Sequence, residues 1–209
     1  MPTYKELILQ HCAEIVNQVL EGMEKNRFRV GTKPILVPKE PVLYRWWFHS
    51  ESEVVKLLRA WKSKDSKKPI NLLDGVLTKK FPDGETYYAL YFGKSNNGYR
   101  RFIQHSKGNI HTSTLRRTIH SLLTDEEYNK PIHEKQIDAI LKDCYFEWAV
   151  IDKEEESLVE CIEAICIVHG TYPLNIDGNP AINSKWREYM MNERGKVKDK
   201  KLELYTSRH

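Results

Sequence analysis

The nine residues ETYYALYFG (85–93) leave the chain little local freedom. Tyrosines, phenylalanine and leucine packed this densely suit a pleated, half-buried surface and predict a strand. Before it stand GVLTKKF (75–81), a second strand-like run, and PDG (82–84). Pro presets φ and Gly accepts positive φ, so the two runs are predicted to form a hairpin. After it, Gly93 and SNNG (95–98) stop the strand and start a helix that carries Arg101 and His105. Residues four apart on a helix share a face, so the spacing presents a guanidinium and an imidazole together at the strand's end.

Two more runs, VLYRWWF (42–48) and CYFEWAVID (144–152), read as strands for the same reason. Helical spacing of apolar residues predicts helices elsewhere. The first is ELILQHCAEIVNQVLEGM (6–23), ending near Gly22, and the second SESEVVKLLRAWKSK (50–64). TSTLRRTIHSLL (112–123) has Ser and Thr at its N-cap, and HEKQIDAILKD (133–143) follows. EEESLVECIEAICIVHG (154–170) puts three acids in the first turn and Gly170 at the end, and INSKWREYMMNERG (182–195) precedes a Lys-rich tail. A chain of 209 residues is long enough for one well-buried core with extensions. We expect a single domain, with an N-terminal helix and arm at 1–40, a core at 41–176 with an insertion at about 49–84, and a C-terminal extension at 177–209.

With 40% apolar and 30% charged residues, the composition is that of a globular protein, not a disordered one. No apolar run is long enough to cross a bilayer, and Lys5, Glu6 and Glu14 interrupt what a secretory signal would need, so a cytoplasmic location and no membrane partner are expected. Four scattered cysteines with no C-x-x-C predict buried free thiols. His111, His120, His133 and His169 lack the spacing of a zinc pair. Neither G-x-x-x-x-G-K-[ST] nor G-x-S-x-G occurs. A net charge of +4 is compatible with a nucleic-acid partner without requiring one.

Read in order, Tyr44 in VLY, Tyr91-Phe92-Gly93, Ser95, Arg101, His105, Glu163, Ile167 and the Asn175 that ends PLN form a series spanning 44–175. The series resembles the catalytic domain of the GIY-YIG nucleases. That resemblance implies an α/β (α+β) fold, with a small three-stranded antiparallel sheet flanked by helices. It also implies a metal-dependent endonuclease acting on DNA, with Tyr44, Tyr91, Arg101, His105, Glu163 and Asn175 as site residues. Tyr44 would be the general base and Glu163 the ligand of Mg²⁺ or Mn²⁺. Two departures stand out: the first triplet has neither Gly nor Ile, and the two tyrosine motifs are far apart in sequence. A stand-alone chain with such an insertion is most similar to a type II restriction endonuclease, for which a homodimer on a symmetric site is expected. A nuclease of branched or damaged DNA, or a binding module without activity, are the other readings.

The residues suit that chemistry. Mg²⁺ binds through one or two carboxylates and keeps several waters, so a single acid suffices. On its helix Glu163 has Val159 and Ile167 four residues to either side, whereas Glu160 has Glu156 and Ala164 and reads as solvated surface. Arg101 offers a fork of donors for phosphate oxygens, and His105 would reach the same group. A phenol's pKa near 10 makes Tyr44 a base only where a cation favours phenolate. Asn175 would tie its loop to the active face or contact phosphate. Lys94, Arg116 and Arg117 are candidate nucleic-acid contacts.

Overall fold

The computed structural model describes residues 3–32, 37–63, 68–124, 130–152 and 157–206. The aromatic runs become strands: β1 is Arg27–Arg29, β2 Val42–His49, β3 Thr78–Lys80, β4 Thr86–Ser95 and β5 Tyr145–Val150. They form one antiparallel sheet in the order β1-β5-β2-β4-β3. The expected three-stranded sheet is therefore too small a description. Its three strands are the centre, β5-β2-β4, and a three-residue strand is added at each edge. The hairpin forms as predicted, with Gly84 at φ 82° and its amide donating to the Phe81 carbonyl.

Helices cover both faces: α1 is Tyr4–Lys25, α2 Glu53–Arg59, α3 Gly98–Lys107, α4 Thr114–Leu123, α5 Lys130–Lys142, α6 Val159–Gly170 and α7 Ser184–Thr206. One core lies between the Tyr44, Trp46 and Phe48 side of β2 and helices α2, α3, α4, α5 and α7. The other lies between the Leu43 and Trp47 side and helices α1 and α6. β2 is therefore buried on both faces, which explains why its apolar residues do not alternate with polar ones. Helix α1 runs three residues past its expected end at Gly22. That glycine serves close approach instead, since a Cβ there would sit 3.3 Å from Ala149 Cβ on β5. Gly170 is the last helical residue of α6, and the left-handed turn falls on Thr171 at φ 47°. The three acids expected in the first turn of α6 are at 154–156, outside the described residues. Helix α7 also continues through the stretch expected to be a tail.

A bulge in β4 decides which face of the sheet Tyr91 takes. Trp46 pairs with Tyr91 but Trp47 pairs with Ala89, so Leu90 is an extra residue in β4. Side chains alternate along a strand, and one extra residue resets the alternation. Tyr87 and Ala89 accordingly face the α1–α6 core, while Leu90 and Tyr91 both face the other. Without the bulge Tyr91 would lie on the opposite face of the sheet from Tyr44.

Candidate active site

The bulge sets Tyr91 beside Tyr44, with ring centroids 6.3 Å apart. Tyr44 pairs with Gly93 across the strands, and its phenol ring lies directly over that residue. Just beyond, Ser95 Oγ accepts from the Asn97 amide at 3.1 Å, and Asn97 Oδ1 caps α3 by accepting from the Arg100 amide at 2.8 Å. The cap fixes where α3 starts and hence where Arg101 and His105 fall.

Of that pair, His105 is not exposed as its spacing suggested. It is fully buried, with Nε2 2.9 Å from the Tyr44 hydroxyl and Nδ1 2.7 Å from Ser113 Oγ. Ser113 is the N-cap of α4 and already accepts from the Arg116 amide at 3.1 Å. The two contacts are coupled through the tautomer: Nε2 accepts from the Tyr44 hydroxyl only when Nδ1 donates to Ser113 Oγ, and donates to it when the Ser113 hydroxyl donates to Nδ1. Burial, then the charges of Arg101 and Arg116, push His105 down to about 3. Arg101 is half-buried, its Nε has no hydrogen-bond partner, and its charge acts on Tyr44, Tyr91 and His105 alike.

Both phenols are held neutral. Burial raises Tyr44 well above its ordinary value, Tyr91 adds to the rise, and Arg101 opposes it. Burial also raises Tyr91, against Arg101. The expected dependence of a phenolate on Arg101 is thus present in sign and outweighed by desolvation.

Glu163 reaches this group from α6. Its side chain is 20% exposed against 80% for Glu160, and Lys94 Nζ lies 3.7 Å from it while also pairing with Glu160. Burial raises the Glu163 carboxyl, Lys94 lowers it, and Glu160 raises it further. The two acids therefore divide as their helical neighbours suggested. A cleft of about 300 Å³ opens here, lined by Tyr91, Thr114, Glu160, Glu163, Asn175 and Arg194 among others. Tyr91 forms part of its wall, and Tyr44, only 2% exposed, stands one ring behind.

Asn175 ties its loop to the sheet. Its Oδ1 accepts from the Phe92 amide at 2.8 Å and its Nδ2 donates to the Phe92 carbonyl at 2.7 Å. The amide thus imitates a strand residue along the edge of β4, where β3 has ended. In doing so it ties the loop to the active face, one of the two roles expected of it, while Asn175 also lines the cleft.

Arg116 also departs from expectation. It is fully buried, and its Nη2 binds Asp138 at 2.6 Å while Nη1 donates to the His105 carbonyl at 3.1 Å; Glu134 engages it too. A guanidinium so occupied cannot meet DNA; it holds α3, α4 and α5 together around His105. Arg117 is half-buried and donates to the carbonyls of Ile110 and His111. His120 and His133 meet as a buried pair, Nε2 to Nδ1 3.1 Å. Among the described residues no group of three or more His, Cys, Asp or Glu gathers as a metal cluster. Cys12, Cys144 and Cys166 are buried as expected, but Cys161 is exposed.

A family model described as the GIY-YIG catalytic domain matches residues 42–196, well over half of the chain. The chain belongs to that family. As a GIY-YIG protein it is an endonuclease, and its substrate is DNA. GIY-YIG nucleases generally depend on a divalent metal. Comparisons with curated proteins and with solved structures give no match. No helix among the described residues is long and apolar enough to cross a membrane. Two residues at the site, Ser113 against His105 and Arg194 in the cleft wall, are not among those expected from the sequence. Ser113 reads there only as a helix cap, whereas Arg194 stands two helical steps beyond Trp186 on one stripe, a pattern that is visible in the sequence.

The buried imidazole makes a testable statement about pH. An unfolded His105 takes up a proton near 6.5, whereas the folded one resists until about 3. Its contribution to stability is therefore present above about pH 6.5 and lost as pH falls from there towards 3. Burial pushes His120 down to about 4, with the same sign. Thermal melts between pH 7 and pH 4 should show stability falling, and His105→Asn should be less stable at pH 7 but lose less on acidification. Equal slopes for the two proteins would contradict a neutral His105.

Proposed function

We propose that this endonuclease cuts double-stranded DNA at specific sites, using Mg²⁺ or Mn²⁺, as a restriction enzyme of type II in the cytoplasm. The observation that carries the hydrolytic part is the convergence of Tyr91, Glu163 and Arg194 on one cleft, with the Tyr44–His105 pair behind it. The donor set fits a hard cation. Glu163 is a half-buried carboxylate, paired among the described residues with a lysine that it shares with Glu160, beside a cleft with room for water. Glu163 would hold the ion, which when bound neutralises charge on the phosphate and the leaving oxygen.

The remaining chemistry falls to the chain's own groups. A water in the cleft meets Tyr91, the phenol in its wall. In the phenolate form that Arg101 favours, Tyr91 takes the water's proton as the water oxygen attacks phosphorus, and the neutral Tyr44–His105 pair behind it holds the ring in place. The bond from phosphorus to the leaving oxygen breaks, and that oxygen takes a proton from solvent. Arg101 is the cation that favours proton loss from both phenols. This assigns the general-base role to Tyr91, backed by Tyr44, instead of to Tyr44 alone. Lys94 and Arg117 would hold the flanking backbone.

Site specificity is supported by how the additions to the core are built. Trp61 of the insertion packs against Trp186 and Tyr189 of α7, with ring centroids 5.4 and 5.8 Å apart. Insertion and extension are thus packed together, an arrangement that would offer a duplex one shared surface, and a homodimer would match it to a palindrome. The test is digestion of several unmodified duplex DNAs and a set of branched substrates with Mg²⁺, with Mn²⁺ and with chelator. Discrete fragments appearing only with metal are expected. A smear, or cutting confined to branched DNA, would overturn the restriction reading.

A further inference from the structure

Helix α7 presents Trp186, Met190 and Arg194 at successive turns of one face. The first two are fully buried in the core, and Arg194 is only 8% exposed. The stripe is therefore apolar for two steps and then ends in a guanidinium that lies in the wall of the cleft with Tyr91 and Glu163. A leucine there would extend the core at no desolvation cost, so a buried arginine calls for an anionic partner. The partner in place is weak: Nη2 reaches Asp177 at 3.0 Å, but that carboxylate is 70% exposed. The Arg194 Nε is buried with no hydrogen-bond partner at all. Nor is Arg194 needed to anchor α7, because Trp186 Nε1 already donates to the Pro173 carbonyl at 2.8 Å and Trp61 packs on the same helix.

We infer that Arg194 is a second phosphate-binding arginine of the nuclease site, supplied by the C-terminal helix and clasping the DNA backbone in the cleft beside Tyr91 and Glu163. This rests on the nuclease reading of the cleft. Lys94, the other cation at the glutamates, is shared between Glu160 and Glu163, so Arg194 is the guanidinium in this wall whose donors are least committed. A planar fork suits two phosphate oxygens at once. Its charge also lowers Tyr91, which places it near the phenol that meets the water.

The experiment compares wild type, Arg194→Gln, Arg194→Lys and Asp177→Asn. It measures single-turnover cleavage of duplex DNA with Mg²⁺, the salt dependence of duplex binding in chelator, and the melting temperature. Arg194→Gln should cut about 10²-fold more slowly or worse. Its plot of log affinity against log salt should be shallower by about 0.9, the share of one phosphate contact. Arg194→Lys, which keeps the charge and is the milder change for folding, should keep the slope and still lose rate. Asp177→Asn should cut within about threefold of wild type. Equal losses in Asp177→Asn and Arg194→Gln, both with lowered melting temperature, would reduce Arg194 to a structural ion pair. An unchanged salt slope in Arg194→Gln would overturn the assignment as well. A wild-type protein that binds but cuts no DNA would instead defeat the nuclease reading, and the salt slope would still decide whether Arg194 holds phosphate.

Discussion

Replacing Glu163 with glutamine is expected to slow DNA cleavage by about 10³-fold or more while leaving DNA binding and folding intact. The substitution keeps the shape of the side chain and removes the charge that would hold a cation. Lys94 remains paired with Glu160, so no ammonium is stranded. The sign of the effect on stability follows from the raised Glu163 pKa, which arises first from burial. A carboxyl with a folded pKa above its unfolded value stabilises only where it is protonated, and that contribution is lost as pH rises through the folded pKa. At neutral pH the ionised Glu163 is a net cost, and glutamine should leave the melting temperature equal or slightly higher. Glu160→Gln, on a side chain that is mostly solvent-exposed, should cut within a few-fold of wild type. Single-turnover rates with Mg²⁺ and melting curves for the two variants decide it. If Glu163→Gln cut as fast as wild type, the metal-ligand assignment would be lost.

The contrast between those acids is legible in the sequence, because on one helix the residues four away are true neighbours and their polarity reports burial. The strands of the sheet's centre are legible for a similar reason: VLYRWWF, ETYYALYFG and CYFEWAVID carry their preference in every residue. Strand β1 is not, since its three residues have no such signal and exist as a strand through pairing with β5. Arg116 and Arg117 look like a solvated pair. Which of them is covered depends on α5, whose Glu134 and Asp138 arrive from a distant stretch of chain. Spacing puts His105 on the right helix face, but whether that face meets solvent or Tyr44 is decided by the loop that brings in Ser113. Periodicity reports which residues share a side. Tertiary packing decides what that side touches, and charged side chains are where the two part company.

The tightest link between sequence and site is Gly93, and its replacement by alanine should both destabilise and inactivate. A Cβ at Gly93 would lie 2.6 Å from the Tyr44 hydroxyl oxygen and 2.8 Å from its Cζ. Neither partner can give way cheaply. The backbones of the two residues are locked in register by the β2–β4 pairing. The ring is boxed in by Phe146, Tyr91 and His105, at centroid distances of 5.7, 6.3 and 5.5 Å. Overpacking a core of this kind costs about 1–3 kcal/mol, and Gly93→Ala should sit at the upper end because the obstruction is a rigid ring. The activity loss should exceed what the lost stability explains. The ring can escape only by moving its hydroxyl away from His105 Nε2 and Tyr91, which breaks the phenol chain in the molecules that remain folded. Melting curves together with cleavage rates at a temperature where the variant is fully folded separate the two effects. A further substitution tests the cause: Tyr44→Phe in the Gly93→Ala background removes the oxygen nearest the new methyl and should recover part of the stability but none of the activity. Recovery of cleavage in that double variant would mean that the Tyr44 hydroxyl takes no part in the reaction.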